Sequence, residues 1–309
     1  MGHMDVRKKM PAEAVELYSQ FIHGEIGRRA FFSGLKRYAI GGLTVSAMAE
    51  ALMPNYALGQ QVRKDDERIK ASYETVPSPN GHGTIRGYFA RPFSADSRAE
   101  TGAKLPGILV IHENRGLNPH TEDVARRFAL ANFNAFAPDV LTSVGGYPGD
   151  DFRGGQMFGR LDAAKRTQDL LASARWLKAR ADGNGRVGVT GFCFGGGMSN
   201  ALAGMMGDEL AAAAPFYGGQ TPAADVPKIK AAILIHHGAL DRGLMEAFPA
   251  QEAELKKNNI RYEAHVYPNS VHGFFNDATP ERYNPATAQQ AWTRTLEWFN
   301  QYVRGNGAA

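Results

Sequence analysis

Cysteine is the scarcest residue type in this sequence, with one in 309 residues, and that scarcity excludes several classes of protein. No disulfide can form within the chain, and zinc fingers or iron–sulfur clusters would need more cysteine ligands. A chain of this length can bury roughly three-quarters of its unfolded surface. The sequence therefore predicts a globular core that depends on neither disulfides nor a metal.

The sequence also has little excess of one sign of charge, because 35 Lys and Arg residues are nearly balanced by 31 Asp and Glu residues. Much of the net charge of +4 comes from basic residues near the start of the chain, namely Arg7, Lys8, Lys9, Arg28, Arg29, Lys36 and Arg37. The remainder is close to neutral, so we expect no nucleic-acid partner. No uninterrupted apolar stretch reaches the ~18–20 residues of a spanning helix, so we expect no integral membrane protein.

Residues 1–66 differ from the rest of the chain and are predicted to form an N-terminal helical extension. Residues 1–4 resemble a cloning remnant, and apolar residues recur at helical spacing over residues 11–21. Arg28-Arg29, two phenylalanines and a weakly apolar run over residues 38–53 resemble a bacterial twin-arginine export signal. Residues 47–49 would then be the cleavage site.

Two interpretations of this extension stay open, and they are not exclusive. In the first, the helices pack on the main domain and the protein is cytoplasmic; apolar helix faces left exposed by that packing would instead pair with a second copy of the chain. In the second, the twin-arginine segment exports the protein to the periplasm.

Residues 67–309 are predicted to form a single α/β domain. Apolar runs predict an edge strand at residues 87–91 and further strands at 107–112, 135–138, 186–191, 213–218, 231–236 and 262–267. Helical patterns occur at residues 123–131, 161–180, 198–206, 249–258 and 286–303, whereas 114–121 and 142–156 are predicted loops. This alternation predicts a doubly wound, mostly parallel sheet with helices on both faces.

The single cysteine lies among glycines, in the segment Gly191-Phe192-Cys193-Phe194-Gly195-Gly196-Gly197 between a predicted strand and a predicted helix. This is the G-x-S-x-G nucleophile elbow with Cys in place of Ser. Small residues must flank the nucleophile on so sharp a turn, and the following helix directs its N–H groups and positive end at the sulfur. Cys193 is therefore a predicted nucleophile and the N–H of Phe194 a predicted oxyanion donor, rather than an inert thiol or a phosphate loop.

A nucleophile needs a base and a residue that orients the base. Asp241 follows a buried strand downstream of Cys193, and His272 follows the next strand, in the order found in hydrolases of this architecture. Carboxyl ends of parallel strands are where open α/β sheets build their sites. His236 and His237 point to opposite faces of a strand, so they are predicted to be structural, as is His112.

At this point the sequence resembles the dienelactone hydrolases (carboxymethylenebutenolidases), an α/β-hydrolase branch. The matching motifs are Val110-Ile111-His112-Glu113 with Gly116-Leu117, Ala137-Pro138-Asp139, the glycine-flanked Cys193, Pro215-Phe216-Tyr217-Gly218, residues 237–241 and His272-Gly273-Phe274. The resemblance implies a Cys193-His272-Asp241 triad. It further implies that Glu113 holds the resting cysteine and assists its deprotonation when substrate arrives, and that the backbone N–H of Asn114 is the second oxyanion donor.

The sequence departs from the family where dienelactone-cleaving members hold the substrate carboxylate with arginines. Four residues after the predicted catalytic histidine the chain has Asn276 instead of arginine, and Arg115 or Arg153 are candidate replacements. Arg115, Tyr147, Phe274 and Asn276 are the predicted substrate contacts. An apolar pocket wall is expected from Tyr147 and from the aromatic residues Phe192, Phe194, Phe274 and Phe275.

The predicted function is hydrolysis of a small-molecule lactone or activated ester through a thioester on Cys193, with no cofactor or metal. A general or aryl carboxylesterase with the same triad is the alternative that the missing arginine favours. A third hypothesis is a non-catalytic binding protein that kept the fold.

Overall fold

A computed structural model describes residues 10–23, 25–39, 44–93 and 104–305 of the chain. Its centre is a sheet of eight strands: β1 (Ile69–Ser78), β2 (Gly83–Pro92), β3 (Leu105–Ile111), β4 (Asn134–Pro138), β5 (Gly183–Phe192), β6 (Ala212–Phe216), β7 (Ala232–Gly238) and β8 (Tyr262–Tyr267). The spatial order is β1-β2-β4-β3-β5-β6-β7-β8. The pairs β1–β2 and β2–β4 are antiparallel and all other pairs are parallel. The predicted mostly parallel sheet is confirmed.

The helices are α1 (Ala12–His23), α2 (Arg28–Leu35), α3 (Val45–Leu52), α4 (Tyr56–Gly59), α5 (Pro119–Leu130), α6 (Asp151–Phe158), α7 (Ala163–Lys178), α8 (Phe194–Met206), α9 (Arg242–Lys257) and α10 (Pro285–Phe299). A π-helical turn, Asn300–Gly305, continues α10. Phe128 of α5 and Trp298 of α10 belong to the core on one face of the sheet. Leu170 of α7, Leu202 of α8 and Leu255 of α9 belong to the core on the other. Helices therefore cover both faces, as predicted.

The N-terminal helices have a small core of their own, formed by Ala14, Tyr18, Phe31, Leu35, Met48 and Leu52. Gly34 of α2 allows close packing, since a Cβ there would lie 2.4 Å from the side chain of Leu17. The proposed cleavage site at residues 47–49 lies inside α3, where Met48 is buried. The predicted remnant at residues 1–4 lies outside the described residues, as does part of the 38–53 run. Among the described residues, no helix is long and apolar enough to span a membrane.

The predicted edge strand at residues 87–91 is wrong in its position. It is part of β2, and the edge is formed by β1, which the prediction missed. The sequence of β1, IKASYETVPS, has few apolar residues and is exposed along much of its length. Such a strand lacks the apolar pattern by which buried strands are predicted.

One loop prediction and one helix prediction also needed correction. The 142–156 segment, predicted as a glycine-rich loop, contains a short 3₁₀ turn and the start of α6, where the Asp150 side chain accepts from the Arg153 N–H at 2.7 Å. Helix α9 was predicted to begin at Pro249, but it begins at Arg242 and contains that proline in its interior. Proline is disfavoured in a helix interior and common in the first turn, whereas here the helix continues through it.

Candidate active site

Cys193 lies on the sharp turn between β5 and α8, with φ 54° and ψ −111°. Its N–H donates to the carbonyl of Phe216 at 3.1 Å, and its carbonyl accepts from Gly197 at 3.0 Å. A non-glycine residue at positive φ is strained, and such strain is concentrated at functional sites. The turn places the thiol, which stays partly exposed, at the N-terminal end of α8, where the helix dipole favours negative charge.

The glycines around Cys193 permit close backbone approaches. A Cβ on Gly191 would lie 2.3 Å from the carbonyl oxygen of Gly195, and one on Gly195 would lie 2.2 Å from that of Ile111. Backbone atoms cannot move aside as a flexible side chain can, so these two positions have no room for a methyl group. The start of α8 thus packs directly on the end of β3, beside the loop that carries Glu113 and Asn114.

His272 and Asp241 lie in loops at the same edge of the sheet. The Nδ1 atom of His272 lies 2.6 Å from Oδ2 of Asp241, and both side chains are largely buried. Asp241 follows β7 and precedes α9, and its carboxylate binds the histidine. Burial raises the pKa of Asp241, but the hydrogen bond and positive charge of His272 outweigh it and lower that pKa overall.

His272 lies between Asp241 and Cys193. Burial alone lowers the pKa of His272, but the charge of Cys193 and hydrogen bonds to Asp241 and Cys193 outweigh burial and raise the pKa to about 10. Because Nδ1 faces Asp241, Nε2 is the ring nitrogen available to the sulfur. This arrangement favours the protonated form of the His272 ring.

Glu113 is buried two residues beyond the end of β3, and its charge acts on Arg282 and Tyr217. Its backbone is held by His112, whose Nδ1 binds the carbonyl of Glu113 while Nε2 accepts from the Val140 N–H at 3.2 Å. Burial lowers the pKa of His112, so the ring is neutral. His112 therefore fixes the Glu113 loop, consistent with its predicted structural role.

Tyr217 is a residue of the site that the sequence analysis did not single out. It has φ 36°, it is buried, and its ring centroid lies 4.9 Å from that of His272. Its hydroxyl has no hydrogen-bond partner among the described residues. Burial, and then the charges of Glu113 and Cys193, raise its pKa well above the usual value. Only its place in the Pro215–Gly218 family motif could have drawn attention to it.

Arg282 is a second residue that the sequence analysis missed. It is buried beside Gly273, where a Cβ would lie 2.7 Å from the guanidinium. Burial alone lowers the pKa of Arg282, but the charges of Glu113 and Glu281 outweigh burial and raise it. The sequence signal was weak, since an arginine ten positions after a histidine has no local pattern to mark it.

The predicted substrate contacts divide into two groups. Phe274 and Asn276 are buried; the ring of Phe274 packs in the core, and the side chain of Asn276 accepts from the Ala278 N–H at 3.1 Å. Tyr147 and Arg115 are partly exposed beside the site, and Tyr147 donates to Asp151 at 2.7 Å. Of the four predicted contacts, Arg115 and Tyr147 therefore stay partly exposed, whereas Phe274 and Asn276 are enclosed by protein.

The aromatic residues expected to form a pocket wall also divide into buried core residues and partly exposed ones. Phe192 and Phe275, like Phe274, belong to the core. Phe194 stays partly exposed at the start of α8, edge-on to Phe158, and the alternative arginine Arg153 is exposed on α6.

The adjacent histidines at the end of β7 are buried. His236 binds the hydroxyls of Tyr267 and Thr295, each at 3.0 Å, and burial lowers its pKa well below the usual value. Burial likewise lowers the pKa of His237, to about 4. Within the described part of the chain, no group of three or more His, Cys, Asp or Glu side chains is arranged to hold a metal.

The sheet order, the strained turn after β5, and an acid and a histidine on the loops after β7 and β8 together define an α/β hydrolase. The chain belongs to the dienelactone hydrolase family, whose profile matches residues 85–303. It is accordingly a hydrolase that acts on esters or lactones.

Relatives and solved structures agree with this placement. A protein of Escherichia coli O157:H7, provisionally named a carboxymethylenebutenolidase, is 30% identical over 256 residues, which are 78% of this chain and 90% of that protein. A hydrolase fragment of Escherichia coli K12, YghX, is 51% identical over 120 residues, 39% of this chain and 97% of the fragment. The crystal structure of a dienelactone hydrolase homologue from Klebsiella pneumoniae has a TM-score of 0.64 and 28% identity, covering 76% of this chain and 99% of its own.

Proposed function

We propose that the protein hydrolyses lactones or activated esters through a covalent thioester on Cys193. The observation that carries this proposal is the position of His272, which binds Asp241 through Nδ1 and acts on Cys193 from its other side. A thiolate at the N-terminus of α8, stabilised by the helix dipole and an imidazolium, is a nucleophile at neutral pH.

In the first half of the reaction, the sulfur of Cys193 attacks the carbonyl carbon and a carbon–sulfur bond forms. The carbonyl oxygen becomes an oxyanion, which the backbone N–H groups of Asn114 and Phe194 stabilise. Collapse of this intermediate breaks the bond to the ester oxygen. The oxygen released as an enolate, phenolate or alkoxide takes up the proton of His272; it departs from an ester and stays attached to the acyl chain of a lactone, and an acyl thioester on Cys193 is left in both cases.

In the second half, the thiolate charge is gone, and the factor that most raised the pKa of His272 is lost with it. The neutral ring takes a proton from water as the water attacks the thioester, while Asp241 orients the ring. The carbon–sulfur bond breaks, the carboxylic acid departs, and the thiolate and imidazolium are restored. Glu113, buried near this centre, assists the deprotonation of the thiol when substrate arrives.

A thiolate is a good leaving group, so the tetrahedral intermediate readily expels it again. Attack on an ester is therefore productive when the departing oxygen anion is also stable. Enol lactones and aryl esters should therefore be cleaved faster than alkyl esters. Position 276 is asparagine rather than arginine, and its side chain accepts from the Ala278 N–H within a turn. Because this position therefore offers no cation for a substrate carboxylate, aryl esters are favoured over dienelactone itself as the second candidate.

A substrate panel with the wild type and Cys193→Ala tests this function. The panel contains dienelactone, simpler enol lactones, p-nitrophenyl acetate and ethyl acetate. We expect turnover of activated substrates by the wild type and none above background by Cys193→Ala. Equal turnover by the two proteins would refute the mechanism, and no turnover of any member by the wild type would refute the proposed function.

A further inference from the structure

The N-terminal helices lie outside the family profile, which begins at residue 85, yet they contact the loops of the candidate active site. We propose that residues 12–23, 25–39 and 44–59, the N-terminal cover, form an outer wall of the substrate pocket and limit the size of the acyl group that reaches Cys193. The proposal deepens the proposed function and depends on it only for the choice of substrates.

The end of α1 is bound to the oxyanion loop. The carbonyl of Ile22 accepts from Nδ2 of Asn114 at 3.2 Å and from the guanidinium of Arg115. Carbonyls in the last turn of a helix lack intrahelical partners and carry partial negative charge. A guanidinium and an amide are therefore suitable partners, and they fix this end of α1 beside the predicted oxyanion donor.

The same helix contacts the opposite side of the site. Tyr18 is buried, and the guanidinium carbon of Arg282 lies 5.9 Å from the centre of its ring. Arg282 in turn packs on Gly273, the residue after His272. Cys193 is approached by His272 on one side and lies next to the end of β3 through Gly195 on the other, so a helix that contacts both loops is placed to wall the pocket between them.

Helix α6 provides a third contact. Phe21 of α1 stacks on Phe152 with the ring centroids 5.6 Å apart and an angle of 18°. Tyr56 of the cover and Tyr147 donate to the two carboxylate oxygens of Asp151, each at 2.7 Å. The Asp151 carboxylate is largely desolvated, and a desolvated carboxylate needs such donors. Asp151 therefore links the cover to the segment that carries Tyr147 through hydrogen bonds to both.

The cover is anchored where it joins the hydrolase domain. The N–H of Asn55 donates to the carbonyl of Ala278 at 2.6 Å, and a Cβ on Gly59 would lie 2.7 Å from the nitrogen of Ala278. The N–H of Val62 donates to Asp123 at 2.8 Å. The segment is thus packed against the domain, and removal of residues up to Ala49 after export would delete α1 and α2 from the site.

Thiol alkylation tests the cover without depending on catalysis, because Cys193 is the only cysteine in the chain. The probes are N-ethylmaleimide and the bulky N-(1-pyrenyl)maleimide, each compared with its rate on free glutathione. In the wild type we expect the bulky reagent to be disfavoured by about tenfold relative to the small one, a typical discrimination by a pocket wall. In full-length Phe21→Ala, we expect that ratio to fall several-fold.

Two further variants keep the test decisive. Tyr56→Phe removes one hydrogen bond to Asp151 without changing volume, and it replaces Phe21→Ala if thermal melting shows that the latter is unfolded. Phe93→Ala is the matched control, because Phe93 is an exposed phenylalanine at the end of β2; it should leave the ratio unchanged. Equal relative rates for both reagents in the wild type, or an unaltered ratio in folded Phe21→Ala and Tyr56→Phe, would overturn the proposal.

An acyl-length series separates this proposal from the proposed function. We expect the preference for p-nitrophenyl acetate over p-nitrophenyl octanoate in kcat/KM to decrease in Phe21→Ala. If the wild type cleaves the esters and the preference is the same in the variant, the cover proposal fails alone. If the wild type cleaves neither ester, the proposed function fails, and the maleimide ratio still decides the cover.

Discussion

The Nδ1 atom of His272 lies 2.6 Å from Oδ2 of Asp241, although 31 positions separate the two residues in the chain. Asp241 follows β7 and His272 follows β8, so the two loops meet because neighbouring parallel strands end at the same edge of the sheet. The pair is largely buried, which strengthens the interaction and fixes the orientation of the imidazole.

Asp241→Asn tests the contribution of this pair to catalysis. The amide is nearly the same size, but it cannot stabilise the imidazolium and favours the wrong tautomer of His272. We expect kcat/KM for p-nitrophenyl acetate to fall by about a thousandfold or more. Asp65→Asn, on an exposed loop, is the control and should retain wild-type kinetics. A decrease below tenfold in a folded Asp241→Asn protein would contradict the assigned role.

The protonation of His272 is a second prediction. Its pKa of about 10 exceeds the ordinary value of 6.5, so the ring should stay an imidazolium through neutral pH and lose its proton only near pH 10. Cys193→Ser removes the thiolate charge and should lower this pKa. NMR titration of the ring Cε1–H resonance measures both. A wild-type midpoint near 6.5, or no decrease in the variant, would be inconsistent with a thiolate–imidazolium pair.

Two glycines of α8 provide a matched test of the elbow. Gly195→Ala would place a Cβ 2.2 Å from the carbonyl oxygen of Ile111, whereas Gly197→Ala would place it 3.4 Å from its nearest neighbour, the nitrogen of Gly219. We expect Gly195→Ala to lower the free energy of unfolding by about 3 kcal/mol. Gly197→Ala should raise it by up to about 1 kcal/mol. Similar values for the two variants in urea denaturation would argue against the described packing.

Tyr217→Phe removes a buried hydroxyl that has no hydrogen-bond partner among the described residues. Because an unsatisfied buried hydroxyl costs free energy, the variant should unfold with a free energy about 1 kcal/mol higher than the wild type. Tyr267→Phe is the matched control, since that hydroxyl binds His236 at 3.0 Å and Arg294 at 3.1 Å. The control should be destabilised by about 1 kcal/mol; a destabilised Tyr217→Phe would indicate a partner for the hydroxyl.

The sheet and the nucleophile turn were predictable because both have local sequence patterns. Buried parallel strands such as β3 are continuous apolar runs, and a strand, glycines and a helix enclose Cys193. The edge strand β1 has mixed polar residues and was missed. Helix α6 lies in a glycine-rich segment and begins at its Asp150 cap, with its glycines packed on Arg115. Neither the cap nor this packing produces a periodic pattern of apolar residues, so the helix was not predicted.

Contacts between distant segments were not predictable from one sequence. Tyr217 and Arg282 reach the site through the packing of β6 and of the His272 loop, and nothing in their local sequence requires it. The contact between the cover and the oxyanion loop is made by the backbone carbonyl of Ile22, an atom that every residue possesses. The identity of the residue at position 22 therefore does not encode this contact.

Trapping of the acyl-enzyme tests the central claim most directly. The wild type is mixed with p-nitrophenyl acetate, quenched in acid during the burst of p-nitrophenolate release, and analysed by intact and peptide mass spectrometry. We predict one acetyl group per chain, located on the peptide that contains Cys193, and its absence in Cys193→Ala. Turnover by the wild type with no acyl adduct on Cys193, or with the adduct on another residue, would contradict the account.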